Sequence, residues 1–571
     1  MSKYNIETIR HSLSHVMAAA VMEMFPEAKF GIGPAIDNGF YYDFDLPRTL
    51  IPEDLILIEK KMHKILSSGE RFERAELESK EALDELYKTD QQYKIELVKD
   101  LIAEGEKNVS IYKTGKFVDL CKGPHVANVS DLANAGWKLD KISGAYWKGS
   151  EKNKMLQRIY ALAFESSDEL KKYLVQREEA EKRDHRKIGA ELDLFSFHEE
   201  APGFPFWHNK GMILWNMLLE WWRYEHKIAG YEEVKTPIIL ARSLWEQSGH
   251  WDHYKNNMYF TKIDERDFAV KPMNCPGGML LYKEKIHSYK EFPLKVGEIG
   301  LVHRHELAGT LHGLMRVRAF HQDDAHIFCT DNQISREVIG VIDLADKMYK
   351  KLGLKYRLEL STRPQEGSIG SDETWQKAED ALKKALKDKG LEYKLNPGDG
   401  AFYGPKIDFH IEDAIGRTWQ TGTIQLDFAM PERFELEYIA EDGSVKRPVM
   451  LHRVIFGSIE RFIGILTEHF AGAYPVWLAP VQVKVLPIAD RHNEYARSVV
   501  EKLSGAEIRV ELDDRVESVG RKIRDGEMQK IPYMLIVGDK EIEADKVALR
   551  KYGEGDKGQI SVEELLKNIL S

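Results

Sequence analysis

The middle of the chain carries apolar residues at helical spacing. Four large apolar residues recur at intervals of three and four positions, which places them on one face of a helix. They are Trp215, Leu218, Leu219 and Trp222. We expect Gly230 to end this helix, because glycine readily adopts the left-handed conformation that closes one. The residues over 231–236 then predict a strand, which ends at Pro237.

The C-terminal part shows a different pattern, in which strand-like apolar runs alternate with helical segments. The predicted elements are strands over 481–487, 508–512 and 533–537 and helices over 493–503 and 519–529. Alternation of this kind indicates a parallel or mixed sheet with helices on its faces. We therefore predict a separate α/β domain over 476–571.

The N-terminal part mixes helical stretches with short strands over 1–165, which indicates an α+β domain. A highly charged stretch over 166–190 follows. It is rich in helix formers and has no Pro or Gly before Gly189, so we predict a helical linker. The remaining residues, 191–475, form the predicted central domain.

The composition is typical of a globular protein, with 43% apolar residues among 571 positions. No run of about 18 apolar residues occurs, so we expect no membrane span. Residues 1–11 lack the apolar core of a signal peptide. The three cysteines, Cys121, Cys275 and Cys329, cannot all pair, which favours a reducing cytoplasmic location over a disulfide framework.

The net charge of −11 does not by itself indicate nucleic-acid binding. A polyanion responds to a local patch rather than to the total charge, and the stretches 177–187 and 304–318 are rich in basic residues. Acidic residues interleave with the basic ones in 177–187, so a solvated helix face remains an alternative for that stretch.

The stretch 303–326 combines two predicted strands with a glycine-containing loop between them. Arg304 and Glu306 alternate along the first strand, so we expect both on the same face. An arginine can bind a phosphate through two hydrogen bonds, and a carboxylate can accept a proton from a base amino group. Phe320 on the second strand is suited to stacking on adenine. Taken alone, the pattern also fits an exposed hairpin with a surface ion pair.

A second block, 452–466, predicts a strand that turns into a helix. Gly457 at the turn permits close approach of another backbone segment. Arg461 lies in an otherwise apolar helix, where an unpaired charge would be costly. A nucleoside triphosphate would be a suitable partner for this arginine.

These two blocks resemble motifs two and three of the class II aminoacyl-tRNA synthetases, whose core is an antiparallel sheet. The helix, strand and Pro237 described above resemble motif one, which forms the dimer interface in that class and so implies a homodimer. The resemblance implies that Arg304 holds the α-phosphate and the substrate carboxylate, while Phe320 and Arg461 sandwich the adenine. It also assigns roles in catalysis or in binding ATP with Mg²⁺ to Glu306, Arg316, Lys406, Gln420 and Thr423.

Within that class, five stretches in order resemble the threonine-specific enzymes. They are Met-Asn-Cys-Pro-Gly (273–277), Gly-Leu-Met-Arg-Val-Arg (313–318), Gln-Asp-Asp-Ala-His-Ile-Phe (322–328), Phe-Tyr-Gly-Pro-Lys-Ile-Asp (402–408) and Gln-Leu-Asp-Phe (425–428). This resemblance, which covers essentially the whole chain, implies one Zn²⁺ on Cys275, His326 and His452 with an open fourth position. Their spacing alone would not identify a zinc site. The threonine-binding residues that it implies are Met273, Arg304, Gln322, Asp324, Tyr403 and Gln425, with tRNA(Thr) as acceptor.

Threonine as substrate poses two selection problems. Valine has nearly the same shape, and an apolar pocket rejects it by only about 10²-fold, whereas a metal and Asp324 that require the β-hydroxyl reject it strongly. Serine has the hydroxyl and lacks one methyl group, which is worth roughly 1–3 kcal/mol. A second, hydrolytic site that removes serine is therefore expected.

The N-terminal domain contains candidate residues for this hydrolytic site. His11 and His15 are four residues apart, on one face of a predicted helix, and Cys121 and His125 have the same spacing. The resemblance implies a metal-free editing pocket made by these four residues with Lys94 and Asp119. A structural zinc ion on the four residues, as in the related alanyl editing domain, is the alternative.

The C-terminal domain resembles the class II anticodon-binding domain, which implies that Glu541 and Arg550 contact anticodon bases. An ordinary surface pair is the alternative, and Val516 stands where relatives often have a polar residue. Many bacterial relatives begin with a ubiquitin-like domain, whereas this sequence begins directly on the predicted editing helix. Two other function classes are considered: a non-catalytic tRNA-binding paralogue, and a metallohydrolase built on the N-terminal His/Cys set.

Overall fold

The computed structural model describes residues 3–570 and comprises two compact units, Met1–Glu178 and Glu179–Ser571. Across the described residues, no helix combines the length and apolar character needed to cross a membrane.

The N-terminal unit is an α+β domain with two antiparallel sheets. Its long first helix, Ile6–Met24, starts at Asn5, whose side chain accepts the Thr8 N–H. The other helices are Pro52–Leu66, Ser79–Lys88 and Gln92–Ala103. The larger sheet contains Lys29–Phe30, Ala35–Ile36, Gly39–Asp45, Gly136–Tyr146 and Met155–Phe164, and the smaller one Phe72–Glu78, Asn108–Thr114 and Phe117–Leu120. The first helix is buried along most of its length, which brings residues of its middle turns into the domain interior.

The predicted linker is helical. It consists of the helices Ser167–Lys182 and His185–Glu191, with a break between them at Asp184, whose carboxylate accepts the Arg186 N–H and caps the second helix.

The central domain is built on an eight-stranded sheet, as predicted for the class II core. In spatial order its strands are Glu232–Glu233, Leu294–His303, Ala319–Cys329, Val449–Val454, Thr418–Asp427, Lys406–Glu412, Lys355–Ser361 and Tyr393–Asn396. All pairings are antiparallel except those of the two edge strands. Its helices are Asn209–Ile228, Arg242–Gln247, His250–Tyr254, Cys275–Lys283, Ile334–Lys351, Asp372–Lys389, Ala429–Arg433 and Ile459–His469.

The predicted apolar helix spans Asn209–Ile228, and its four large apolar residues are all buried against the sheet. Gly230 follows with a φ of +81°, as its predicted role requires. The strand predicted over 231–236 is shorter, Glu232–Glu233. Beyond it, the Thr236 N–H donates to the buried Glu298 carboxylate instead of a strand carbonyl.

The placement of Arg304 and Glu306 on a strand was wrong. The strand Leu294–His303 ends before them, and the chain turns where the Glu306 N–H donates to the Arg304 carbonyl. Both side chains nevertheless reach the same cleft, because the turn itself borders it.

The C-terminal domain is a mixed five-stranded sheet with helices, as the alternating pattern predicted. The spatial order is Val510–Leu512, Val483–Pro487, Tyr533–Val537, Val547–Lys551 and Gly555–Ile560. The helices are Asn493–Gly505, Val519–Met528, Asp539–Ala544 and Val562–Leu570. Smaller two- and three-stranded sheets in the second unit contain Phe195–Ser196, Phe206–Trp207, Ile239–Ala241, Tyr259–Ile263, Arg266–Val270, His287–Ser288, Tyr438–Ile439 and Val445–Lys446.

Candidate active and editing sites

A cleft of about 540 Å³ opens over the central sheet. Fourteen of the residues predicted for substrate or metal binding line it: Met273, Cys275, Arg304, Glu306, Arg316, Phe320, Gln322, Asp324, Tyr403, Gln420, Thr423, Gln425, His452 and Arg461. These residues come from five separate segments of the chain, so their convergence is a property of the fold rather than of any local motif.

Strand register brings the deepest of these residues together. His326 pairs directly with His452, His452 with Gln425, and Gln425 with Lys406 across four neighbouring strands. Residues directly opposite on paired strands share one face of a sheet. Cys275 joins them from another direction, as the first residue of the helix Cys275–Lys283.

Cys275, His326 and His452 are buried and form a set of potential metal ligands. One donor atom from each lies within 4.8 Å of the others. His326 Nε2 is buried and has no hydrogen-bond partner within the described part of the chain, which leaves a donor atom for an ion. His452 Nε2–H donates to Asp427 at 2.7 Å, the carboxylate contact that usually orients a metal-binding histidine. One thiol and two imidazoles suit Zn²⁺.

The electrostatics of the cluster reflect its burial. Burial lowers the pKa of His326 to about 4 and raises the pKa of the Cys275 thiol. Burial also acts to lower the pKa of His452, but Cys275 and Asp427 beside it outweigh that effect and raise the pKa to about 10. A metal ion would compete with protons for these ligands.

The other end of the cleft is cationic and aromatic. The guanidinium of Arg304 lies 5.2 Å from the centre of the Phe320 ring, and its Nε–H donates to the Pro272 carbonyl. Arg461 Nε is buried without a partner in the described structure, and burial together with Arg316 lowers the pKa of this guanidinium. A half-buried guanidinium with an unpartnered Nε, in a cleft that also contains the Phe320 ring, is suited to a nucleotide anion.

Two carboxylates that the sequence analysis missed organise the site. Asp323 is fully buried and accepts the backbone N–H groups of Ile455, Phe456 and Gly457, which fixes the turn that precedes Arg461. Burial raises its pKa to about 6, although Arg453 and these N–H groups oppose the shift. Asp427 holds His452, as described above. The only sequence signal for Asp323 and Asp427 is that each lies within two residues of a predicted threonine-binding residue.

Asp408 orients the two predicted ATP residues on the neighbouring strand. One carboxylate oxygen accepts from Gln420 Nε2 at 2.8 Å and from Thr423 Oγ1 at 2.9 Å. The other oxygen lies 2.9 Å from Lys406 Nζ, which also pairs with Asp399. Lys406 shares the sheet face of His326, His452 and Gln425, but it does not line the cleft.

The predicted editing residues also converge within the N-terminal unit. Cys121 Sγ lies 3.2 Å from both His11 Nε2 and His125 Nε2, and the four donor atoms of His11, His15, Cys121 and His125 fall within 4.8 Å of one another. Burial lowers the pKa of all three histidines and raises that of Cys121 to about 11, so the group is neutral at physiological pH.

A buried polar network lies behind these residues. Asp119 accepts from Tyr42 OH at 2.6 Å, forms an ion pair with Lys94, and lies 3.4 Å from His15 Nε2. All four residues are buried, so the network is shielded from water. A shielded, charged network beside neutral imidazoles can hold and polarise a polar substrate.

The two predicted anticodon residues differ in exposure. Glu541 is buried: its carboxylate accepts the Gly538 N–H at its own helix start and Gln559 Nε2. Arg550 is half-buried on the strand Val547–Lys551, whereas Val516 is 89% exposed. The contact of Glu541 with bases stays a prediction, and the cap is an additional structural role.

Three parts of the chain match known protein families. Residues 259–470 match the tRNA synthetase class II core domain (G, H, P, S and T), residues 482–571 match the anticodon binding domain, and residues 109–160 match the threonyl and alanyl tRNA synthetase second additional domain. With the antiparallel sheet and its cleft, these matches define a class II aminoacyl-tRNA synthetase. The threonine--tRNA ligases of Desulforamulus reducens and Carboxydothermus hydrogenoformans are 61% identical over 560 residues and 60% identical over 565. The chain belongs to the threonine--tRNA ligase family.

The alignments cover 98% and 99% of this chain and 87% and 88% of those two proteins. Among solved structures, the RNA binding domain of threonyl-tRNA synthetase from Cryptosporidium parvum is similar, with a TM-score of 0.66 and 42% identity. That match covers 68% of this chain and 98% of the other.

Proposed function

We propose that the central cleft activates L-threonine with ATP and that Cys275, His326 and His452 hold a zinc ion that selects for the β-hydroxyl group. The observation that carries the proposal is this buried Cys/His/His set, of which Cys275 and His452 line the cleft together with Asp324. When bound, zinc would supply a Lewis-acid centre that binds the amino and β-hydroxyl groups of the substrate.

The reaction joins the threonine carboxylate to the α-phosphorus of ATP and releases pyrophosphate. In this proposal Arg304 binds the carboxylate and the α-phosphate, and Phe320 and Arg461 stack on the two faces of the adenine. Glu306, Arg316, Gln420 and Thr423 complete the nucleotide site, and Mg²⁺ would accompany the phosphates. Catalysis then comes mainly from positioning and from charge stabilisation around an in-line attack.

The 3′-terminal hydroxyl of tRNA(Thr) attacks the carbonyl of the mixed anhydride in the second step, with AMP as leaving group.

Asp324 contributes to selection at the first step, because its buried carboxylate can accept the β-hydroxyl proton. Asn274 Nδ2–H donates to Asp324 at 3.2 Å, which fixes the orientation of that carboxylate. Valine would leave both this carboxylate and the metal position without a partner.

ATP–pyrophosphate exchange tests the activity. We expect exchange with threonine, exchange with serine lower by about 10- to 200-fold, and exchange with valine lower by about 10⁴-fold. Cys275→Ser should lose zinc and threonine activation together, while Cys329→Ser, a change at another buried cysteine, should keep both. A zinc-free protein that activates threonine well would disprove the zinc assignment, and no exchange with any amino acid would disprove the whole proposal.

We further propose that His11, His15, Lys94, Asp119, Cys121 and His125 form the site that hydrolyses Ser-tRNA(Thr). The match of residues 109–160 to a domain shared by threonyl and alanyl synthetases supports editing. Neutral imidazoles can position water, and the buried Lys94–Asp119 pair can bind the amino group or hydroxyl of serine.

Alanine in place of Cys121, or of His11 and His15 together, should leave Thr-tRNA(Thr) formation nearly unchanged and let Ser-tRNA(Thr) accumulate. Unchanged clearance of preformed Ser-tRNA(Thr) would contradict the assignment. The zinc content of Cys275→Ser distinguishes a metal-free editing site from one that binds zinc. The variant should contain no zinc if the editing cluster is metal-free, and one zinc ion if that cluster binds metal.

The surface of the first-motif region indicates how the protein assembles. We propose a homodimer through the first-motif region, where Tyr224, Ile228 and Ile239 leave 63%, 62% and 45% of their surface exposed. Sedimentation at micromolar concentration tests it, and a stable monomer would contradict it. The three free cysteines fit a cytoplasmic location, and the anticodon domain, with Glu541 and Arg550, is the second contact region for tRNA(Thr).

A further inference from the structure

His185, at the start of the helix His185–Glu191, connects two parts of the nucleotide site from behind. Its side chain is fully buried. The ring Nδ1 lies 2.7 Å from Glu468, and the ring Nε2 accepts the Leu314 N–H at 2.9 Å. The first contact reaches the helix that carries Arg461, and the second reaches the loop that carries Arg316.

The hydrogen bonds require one tautomer of a neutral imidazole. Glu468 is an acceptor, since its hydrogen bonds to His185 and the charge of Arg417 outweigh burial and keep its pKa low. The proton must therefore be on Nδ1, which leaves Nε2 free to accept from the backbone. The His185 N–H also donates to the same Glu468 oxygen, at 3.1 Å.

The His185 ring packs tightly against the loop that contains Gly313. Gly313 has a φ of +48°, and a Cβ atom there would lie 2.2 Å from His185 Nε2. Leu314 and Met315, which follow, are buried and line the cleft together with Arg316. The backbone that presents Arg316 is thus held at one point by the imidazole.

We propose that His185 is a positioning residue that sets the separation of Arg316 and Arg461 for ATP binding. It rests on the proposed nucleotide site, because both arginines are assigned to ATP there. His185 does not line the cleft, so its effect passes through Leu314 and Glu468. The helix His185–Glu191, which carries this residue, follows the break after Lys182, near the start of the second compact unit.

Two near-isosteric variants separate the contacts of His185. The amide of His185→Asn can replace Nδ1 and keep the Glu468 contact, but it cannot reach Leu314. His185→Gln can place its oxygen near Nε2 and keep the acceptor for Leu314 N–H. We expect the KM for ATP in threonine-dependent exchange to rise by about tenfold in His185→Asn, because the Leu314 N–H then has no acceptor. In His185→Gln it should rise by less than about threefold, because the backbone N–H of residue 185 still donates to Glu468. The KM for threonine should stay within about twofold in both.

His492 offers a matched control in the C-terminal domain. It is also a buried histidine that accepts a backbone N–H, from Ala489, and contacts a carboxylate, Asp539. His492→Asn should leave the KM for ATP unchanged, because exchange requires no tRNA. If His185→Asn does not fold, Gly313→Ala tests the same contact from the loop side and should raise the KM for ATP without changing that for threonine.

The outcomes distinguish this proposal from the proposed function. An ATP KM that is unchanged in both His185→Asn and Gly313→Ala overturns the positioning role. Equal losses for ATP and threonine in the Asn and Gln variants also overturn it, because they indicate a role in packing alone. Absence of exchange in the unmodified protein would instead disprove the proposed function.

Discussion

His452 and Asp427 lie on neighbouring strands of the central sheet and form a buried hydrogen bond of 2.7 Å. The Asp427 carboxylate also accepts the Ala429 and Met430 N–H groups, so its position is fixed before it orients the ring. The imidazole is thereby held with one nitrogen on the carboxylate and the other available to a metal ion.

The Asp427→Asn substitution should weaken zinc binding. The amide can still accept a hydrogen bond, but the loss of charge reduces the basicity of the His452 ring, which we expect to lower zinc affinity by about 10- to 100-fold. Competition with a chromophoric chelator measures the change. Asp442→Asn removes another carboxylate that accepts a backbone N–H and should retain zinc normally. Equal zinc affinity in Asp427→Asn and the unmodified protein would contradict the expectation.

Asp323→Asn should destabilise the turn before Arg461. The carboxylate accepts three backbone N–H groups and the Trp222 indole N–H, and an amide would direct an N–H toward one of these donors. We expect the free energy of unfolding to fall by about 1–3 kcal/mol and the KM for ATP to rise. Urea unfolding and exchange kinetics measure the two effects. An unchanged unfolding midpoint would show that the turn does not depend on the charge.

His226 should make stability sensitive to acid. Burial lowers its pKa from 6.5 to about 2, so the folded state keeps the ring neutral while the unfolded state takes up a proton below pH 6.5. Its stabilising contribution is complete above pH 6.5 and is lost as pH falls, by about 1.4 kcal/mol per pH unit. His226→Phe, which can keep the stacking on Trp222, should flatten the dependence by that amount in urea unfolding between pH 6.5 and 5. The same slope in both proteins would contradict the prediction.

Glu541→Ala should lower stability and tRNA affinity separately. Loss of the cap at Gly538 should cost about 1 kcal/mol of unfolding free energy, independently of any RNA. If Glu541 also contacts an anticodon base, the KM for tRNA(Thr) should rise by about tenfold while threonine activation is unchanged. A stability loss with unchanged tRNA KM would leave Glu541 with the capping role alone.

The sequence patterns predicted the elements better than their ends. The apolar stripe of Trp215 and Trp222 located a buried helix, and the alternating C-terminal pattern located strands and helices within a few residues, because burial follows periodicity. The strand predicted through Arg304 failed, since the Glu306 N–H donates to the Arg304 carbonyl in a local turn instead of pairing across the hairpin. A period-two pattern cannot report such a contact.

The residues of the candidate site were also predicted only in part, because contacts between distant parts of the chain leave no pattern in the sequence. Family resemblance identified residues that line the cleft, but it did not reveal the carboxylates that orient them. Asp323 and Asp427 act on backbone N–H groups and on a ring nitrogen, and such roles depend on three-dimensional proximity. His185 was missed for the same reason, because its two partners lie more than a hundred positions away along the chain.

The direct pairing of His326 with His452 has a consequence for folding. A slip of one residue between their strands would turn one of the two imidazoles to the opposite face of the sheet. A metal ion that needs both rings can therefore bind only the correctly aligned sheet, and its binding energy favours that alignment over every shifted one by mass action. The cation proposed to select the amino acid would in this way also favour the native strand alignment.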